Sequence, residues 1–81
     1  MAKHPISDAA ATFGERVRAR RNELGKSQEG LASESGVHWT FLGQVERGQR
    51  NLSLHNILRI AEVLGVDPAD LVRGLKAPSE G

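Results

Sequence analysis

The chain has no cysteine and no tyrosine, and aromatic residues make up only 4% of it. Without cysteine there is neither a disulfide framework nor a thiolate metal site. That composition fits a reducing cytoplasm. No apolar run approaches the roughly 18–20 residues that a membrane span needs. The opening stretch MAKHPISDAAAT has a lysine but no apolar segment, so no signal peptide is expected. His4, His38 and His55 are scattered, with no carboxylate at ligand spacing. No metal, other cofactor or small-molecule ligand is therefore expected. There is no glycine-rich phosphate loop and no nucleophile motif, which removes the common enzyme signatures. Ser27, Ser33, Ser35 and Ser53 read better as caps and surface residues than as nucleophiles.

The 81 residues suffice for one small domain. So small a core stabilises weakly, and dimerisation would support it. The net charge of +1 says little about partners, but its distribution says more. Arg16, Arg18, Arg20, Arg21 and Lys26 face only Glu15 and Glu23 within residues 15–26. Arg47, Arg50 and Arg59 lie in a stretch, 47–59, that holds no acid. Acids gather instead at Glu62, Asp67 and Asp70. A basic face for nucleic acid and an ordinary solvated helix surface both fit this pattern.

Hydrophobic spacing predicts helices throughout, with no alternating strand pattern and no internal repeat. Residues 1–11 read as a flexible arm, because His4-Pro5 disfavours helix before it. Ser7 or Thr12 is a candidate cap for a first helix over about 12–24, in which Phe13, Val17 and Leu24 recur at helical spacing. A second helix is expected over 28–35. Ser27 caps it and Gly36 stops it, because glycine takes the left-handed conformation freely. A third is expected over 39–47, seated by Phe41, Leu42 and Val45. Ser53 caps a fourth over 54–64, with an apolar stripe of Leu54, Ile57, Leu58, Ala61 and Leu64. Asp67-Pro68 opens a short fifth, with Asp as cap and Pro at the first position. Residues 75–81 read as a frayed tail. The expected fold is all-α, with five short helices around one core and a single domain over 12–74.

Within this frame Ser27 to Gly48, SQEGLASESGVHWTFLGQVERG, has the layout of a helix-turn-helix. Ala32 is small enough for a close crossing, Gly36 makes the turn, and Leu42 and Val45 seat the second helix. The blocks FGERVRARR, SQEGLA, SGVHWTFLGQVERG and RNLSLHNILRIAEVLGVDPADL follow one another at fixed separations. Together they resemble the lambda-repressor-like, or Xre/Cro-type, DNA-binding domains. The GVHWTF and ERGQRNLSL blocks are similar to those of restriction-modification controller proteins. Two departures stand out: Gly30 where the family usually has Glu, and Trp39 where it often has a polar residue.

In a helix-turn-helix the second helix lies in the major groove and its outward residues reach base edges. Here these are Trp39, Thr40, Gly43 and Gln44. Gln44 can bond adenine N6 and N7 together. Thr40 offers a methyl and a hydroxyl, and Gly43 allows close approach. Trp39 fits either contact with DNA or support of the turn. Phosphate contacts are expected from Gln28 at a helix start, from His38, and from Arg47, Arg50, Asn51 and Ser53. Arg16 is a further candidate. The resemblance implies that Arg21 pairs with Glu46 as a structural ion pair. Ile60, Val63, Leu71, Val72 and Leu75 are candidates for a dimer interface, since so short a last helix cannot bury all its apolar residues.

The expected function is sequence-specific binding of double-stranded DNA by a homodimeric, cytoplasmic and nucleoid-associated prokaryotic transcriptional regulator on a palindromic operator. The alternative is an antitoxin-type protein that also holds a toxin, for which residues 75–81 look too short an extension. A pure interaction domain is disfavoured by Gln44, Arg47 and Arg50.

Overall fold

At each helix start, a side chain at the capping position accepts a hydrogen bond from a first-turn backbone N–H. The computed structural model describes residues 4–79. In order, the helices are α1 (Asp8–Glu23), α2 (Gln28–Ser35), α3 (Trp39–Glu46), α4 (Leu54–Leu64) and α5 (Pro68–Val72). Ser7 accepts from Ala10 N at 3.0 Å and Ser27 from Gly30 N at 2.9 Å. Ser53 accepts from Asn56 N at 3.2 Å and Asp67 from Ala69 N at 2.8 Å. His38 does the same for α3 through its ring nitrogen. Each cap satisfies a donor that a helix leaves orphaned, worth about 1 kcal/mol.

Ser7, not Thr12, opens the first helix. Ala9, Ala10 and Ala11 are the best helix formers and Asp8 suits the positive end of the helix dipole, so α1 begins earlier than the apolar spacing suggests. The arm expected over 1–11 is corrected accordingly. Residues 1–3 lie outside the described residues, and 8–11 are the first turn of α1. The link between is tied down: Ile6 N–H donates to the Gly48 carbonyl at 2.8 Å. Gly48 has φ +76°, and a Cβ there would stand 2.8 Å from Ala11 Cα and 3.0 Å from Pro5 Cβ. Only glycine allows both the backbone conformation and the approach.

The core takes Phe13 and Val17 from α1, Leu31 and Ala32 from α2, and Leu42 and Val45 from α3. Ile60, Ala61 and Leu64 from α4 and Leu71 from α5 complete it. Two expectations change here. Ile60 and Leu71 are buried in this core and cannot form a dimer surface. Val63 and Leu75 are half-buried against it, which leaves Val72 as the exposed member of that set. Leu54 and Leu58, expected inside, are 66% and 41% exposed. The cause is that apolar residues cover more than half the circumference of α4, so its pattern does not choose a face. Packing against α2, α1 and α5 chooses the one carrying Ile57, Ile60, Ala61 and Leu64.

Two arginines of α1 close the carbonyl ends of the last helices. Arg20 Nε donates to Leu64 O at 2.9 Å. Arg16 Nη1 donates to Leu71 O at 3.2 Å and Arg73 O at 2.9 Å. Free carbonyls and the negative dipole end both favour a cation there. Arg16 is thus a tie between α1 and α5, which corrects its expected role as a phosphate ligand.

At Gly14 the backbones of α1 and α3 approach closely. A Cβ at this position would overlap the Val45 carbonyl oxygen and stand 2.7 Å from that of Glu46. Gly14→Ala should therefore separate α1 from the end of α3, at a cost of roughly 1–3 kcal/mol. Denaturant unfolding checks this. A mutant as stable as the wild type would place the close contact elsewhere.

Candidate nucleic-acid interface

From Val37 to Ala61 the sequence holds one acid, Glu46. It lies at the end of α3 on the inner face, beside Leu42 and Val45, because the helical repeat carries it there. A buried carboxylate needs a partner. Arg21 supplies it with a two-pronged contact, Nε to Oε2 at 2.7 Å and Nη2 to Oε1 at 3.0 Å. The side chains are 12% and 3% exposed. The third guanidinium nitrogen donates to Lys26 O at 2.9 Å, and Gln28 Nε2 donates to Glu46 Oε1 at 2.9 Å. The hydrogen bond to Glu46 is the main cause holding the Arg21 pKa above its ordinary value, outweighing desolvation, with the attraction of the carboxylate adding to it. A raised value for this group means that the pair's contribution is complete below the guanidinium range and is lost only in strong alkali.

This pair fixes the rotation of α3. With Leu42, Val45 and Glu46 inward, Thr40, Gln44 and Arg47 fall at i, i+4 and i+7 on one outward stripe. Thr40 and Arg47 are exposed and Gln44 half-buried. Trp39 leads the helix and is 54% exposed, its ring stacked on His38 with centroids 5.9 Å apart. Contact with the turn through His38 and an outward-facing ring surface are both present in this geometry. His38 Nδ1 accepts from Thr40 N at 3.1 Å, so a neutral ring carries its proton on Nε2 and can donate it outward. Asn51 and Ser53 are exposed beyond the end of α3, and the Ser53 oxygen already serves the cap of α4.

Three expected contacts are arranged differently. Gly43 is buried: Arg47 Nη1 and Gln28 Oε1 lie 3.3 Å and 3.6 Å from where its Cβ would be. Two side chains thus roof the glycine, and it is not open to a groove. Gln28 turns its amide inward to Glu46, so its side chain is engaged, while its backbone N–H remains at the positive end of α2. Arg50 does not stand free either. Its Nε donates to Gln44 Oε1 at 2.8 Å, and its guanidinium carbon lies 5.3 Å from the centre of the Phe41 ring. Phe41, expected only to seat α3, also forms this shelf. An arginine four residues beyond a helix end has no fixed spacing that would have revealed it.

Two short helices, α2 and α3, packed together across the turn at Gly36, with the one acid of α3 internalised, form a helix-turn-helix. Comparison with known proteins agrees. A helix-turn-helix family model matches residues 17–71. The control protein C.BamHI of Bacillus amyloliquefaciens is 48% identical over 61 residues, covering 74% of this chain and 75% of that protein. C.SmaI of Serratia marcescens is 39% identical over 71 residues, covering 85% and 84%. Among solved structures, the restriction-modification controller C.AhdI of Aeromonas hydrophila superposes with a TM-score of 0.75 at 48% identity, covering 76% of this chain and 94% of that one. The P22 c2 repressor in complex with a synthetic operator gives 0.73 at 33% identity, covering 78% and 96%. The chain belongs to the Xre-type helix-turn-helix family of DNA-binding transcriptional regulators and is not an enzyme.

Glu46→Ala should strand the Arg21 guanidinium and the Gln28 amide together, costing about 3–5 kcal/mol. Urea unfolding of Glu46→Ala and Glu46→Gln measures it. The glutamine keeps an acceptor for Arg21 and should lose less. Equal, small losses in both would show that the carboxylate is not what holds α1 to α3.

Proposed function

We propose that the chain is a sequence-specific regulator that binds a palindromic operator as a homodimer, with α3 of each subunit in the major groove. The observation carrying this reading is the burial of Glu46. It removes the one negative charge between Val37 and Ala61, so the outward residues of α3 meet DNA phosphates without repulsion. Trp39, Thr40 and Gln44 are the base-contacting set. Arg47, His38, Asn51, Ser53 and the free N–H groups at the start of α2 hold the sugar-phosphate backbone on either side. The relatives support the class: they include restriction-modification control proteins and an operator-bound repressor. We place the protein in the cytoplasm, on the nucleoid. None of these relatives' names gives the toxin-binding alternative comparable support.

The dimer surface follows from what the core leaves out. Leu54 and Leu58 are four residues apart on one exposed flank of α4, and Val72 is exposed on the neighbouring α5. An isologous contact through Leu54 and Leu58 replaces the patch first read from the sequence. Two recognition helices then address half-sites whose centres lie about 34 Å apart, or one helical turn.

Binding to duplexes selected from a random pool tests the function. Gln44→Ala should cost about 1–3 kcal/mol on the preferred site and flatten preference at one base position per half-site. Arg47→Ala should weaken specific and nonspecific binding alike and reduce the salt slope by about one phosphate contact. A wild type that selects no sequence would overturn the proposal. Sedimentation of the wild type and of a Leu54→Glu, Leu58→Glu double mutant tests the dimer separately. The wild type should associate and the double mutant should sediment as a monomer. A wild type that stays monomeric at high micromolar concentration and on operator DNA would sink it.

A further inference from the structure

Arg50 reaches back from the loop after α3 to a residue of the recognition stripe. Its Nε donates to Gln44 Oε1 at 2.8 Å, while the Phe41 ring supports the guanidinium from beneath at 5.3 Å. Among the described residues no carboxylate forms an ion pair with Arg50. Phe41 is itself packed against the core, so the shelf is fixed. Arginine has five N–H donors and no acceptor. The Gln44 amide must therefore turn its oxygen to Arg50 and its NH2 group away. That orientation follows from donor chemistry alone.

The consequence concerns base identity. Reading adenine in the usual two-pronged way needs the glutamine oxygen for the N6 amino group and its NH2 for N7. With one lone pair of that oxygen held by a cation, Gln44 presents its NH2 donors more readily than its oxygen. The neighbouring positive charge also disfavours the amino groups of adenine and cytosine. Guanine presents two acceptors in the major groove, N7 and O6, and answers this surface best. We infer that Arg50 is a positioning residue for specificity, which sets Gln44 to read guanine in place of adenine. The inference rests on α3 entering the major groove as proposed above.

The position read by Gln44 is defined as the one whose preference the Gln44→Ala mutant loses. At that position the wild type should select guanine over adenine by about ten-fold. Replacing that guanine with 7-deazaguanine, which lacks N7, should weaken binding, whereas inosine keeps N7 and O6 and should not. Arg50→Ala should shift the preference there toward adenine and leave the other positions of the site unchanged. Arg50→Lys keeps a donor and a charge and should retain part of the guanine preference. A role limited to phosphate contact or to folding would lower affinity for all sequences and move no base preference. Selection of adenine by the wild type, or an unchanged preference in a folded Arg50→Ala protein, overturns the role of Arg50 and leaves the regulator reading intact. No position flattened by Gln44→Ala overturns the inference as well. A wild type without any sequence preference overturns the regulator reading itself.

Discussion

The Glu46 carboxylate is the constraint on which the rest depends. It is taken out of water at the end of α3, and that is tolerable only because Arg21 and Gln28 meet both its oxygens. One group thereby joins α1, the start of α2 and the end of α3, while the same guanidinium holds the loop carbonyl of Lys26. Such pairs are weak sources of net stability, because desolvating both charges offsets most of their attraction. Their value lies in geometry. Any rotation of α3 that exposes Thr40 and Gln44 less would expose or unpair Glu46, so the register of the recognition helix is tied to a high energetic penalty. The same burial leaves the outward surface of α3 without a carboxylate, with Arg47 at its end. Fold and electrostatics are set by one side chain.

Gly14 is the other half of this arrangement. The pair needs α1 close to the end of α3, and only a residue without a Cβ lets the backbones approach to that distance. Glycine inside a helix costs about 1 kcal/mol relative to alanine. The close approach and the bidentate pair offset that cost together.

Much of this was legible in the sequence because it is local chemistry. Caps at Ser27, Ser53 and Asp67 and left-handed glycine at Gly36 mark helix ends regardless of what packs around them, and α2 and α4 have the expected bounds. The start of α1 was missed because an alanine run carries no apolar stripe. The inner face of α4 was missed because its apolar residues wrap around the helix, and only the positions of α1, α2 and α5 decide between Ile60 and Leu54. Arg16 and Arg20 look like surface charge in a linear reading. They become helix-end partners because carbonyls far along the chain arrive beside them. Within the candidate site, residue types were readable and their pairing was not. Gln28, Gly43, Gln44 and Arg50 are each polar or small at positions expected to face outward, yet three of these four are already in contact with a neighbour's side chain and the fourth, Gly43, is roofed by two.

That pairing bears on how the surface recognises DNA. A long polar side chain that must be immobilised on binding costs roughly 0.5–1.5 kcal/mol in lost freedom. Gln28 is already held by Glu46, Gln44 by Arg50, and Arg50 by Phe41, so part of that ordering is complete before DNA arrives. The gain comes with a restriction. An amide whose oxygen already accepts from a cation favours its donor side, and a held side chain rejects base edges that a free one would accommodate by turning over. Flexible glutamines widen the range of sites a helix tolerates; a glutamine fixed by arginine narrows it. In the proposed binding mode the residues around the contact surface thus bear on the choice of sequence together with those that touch it.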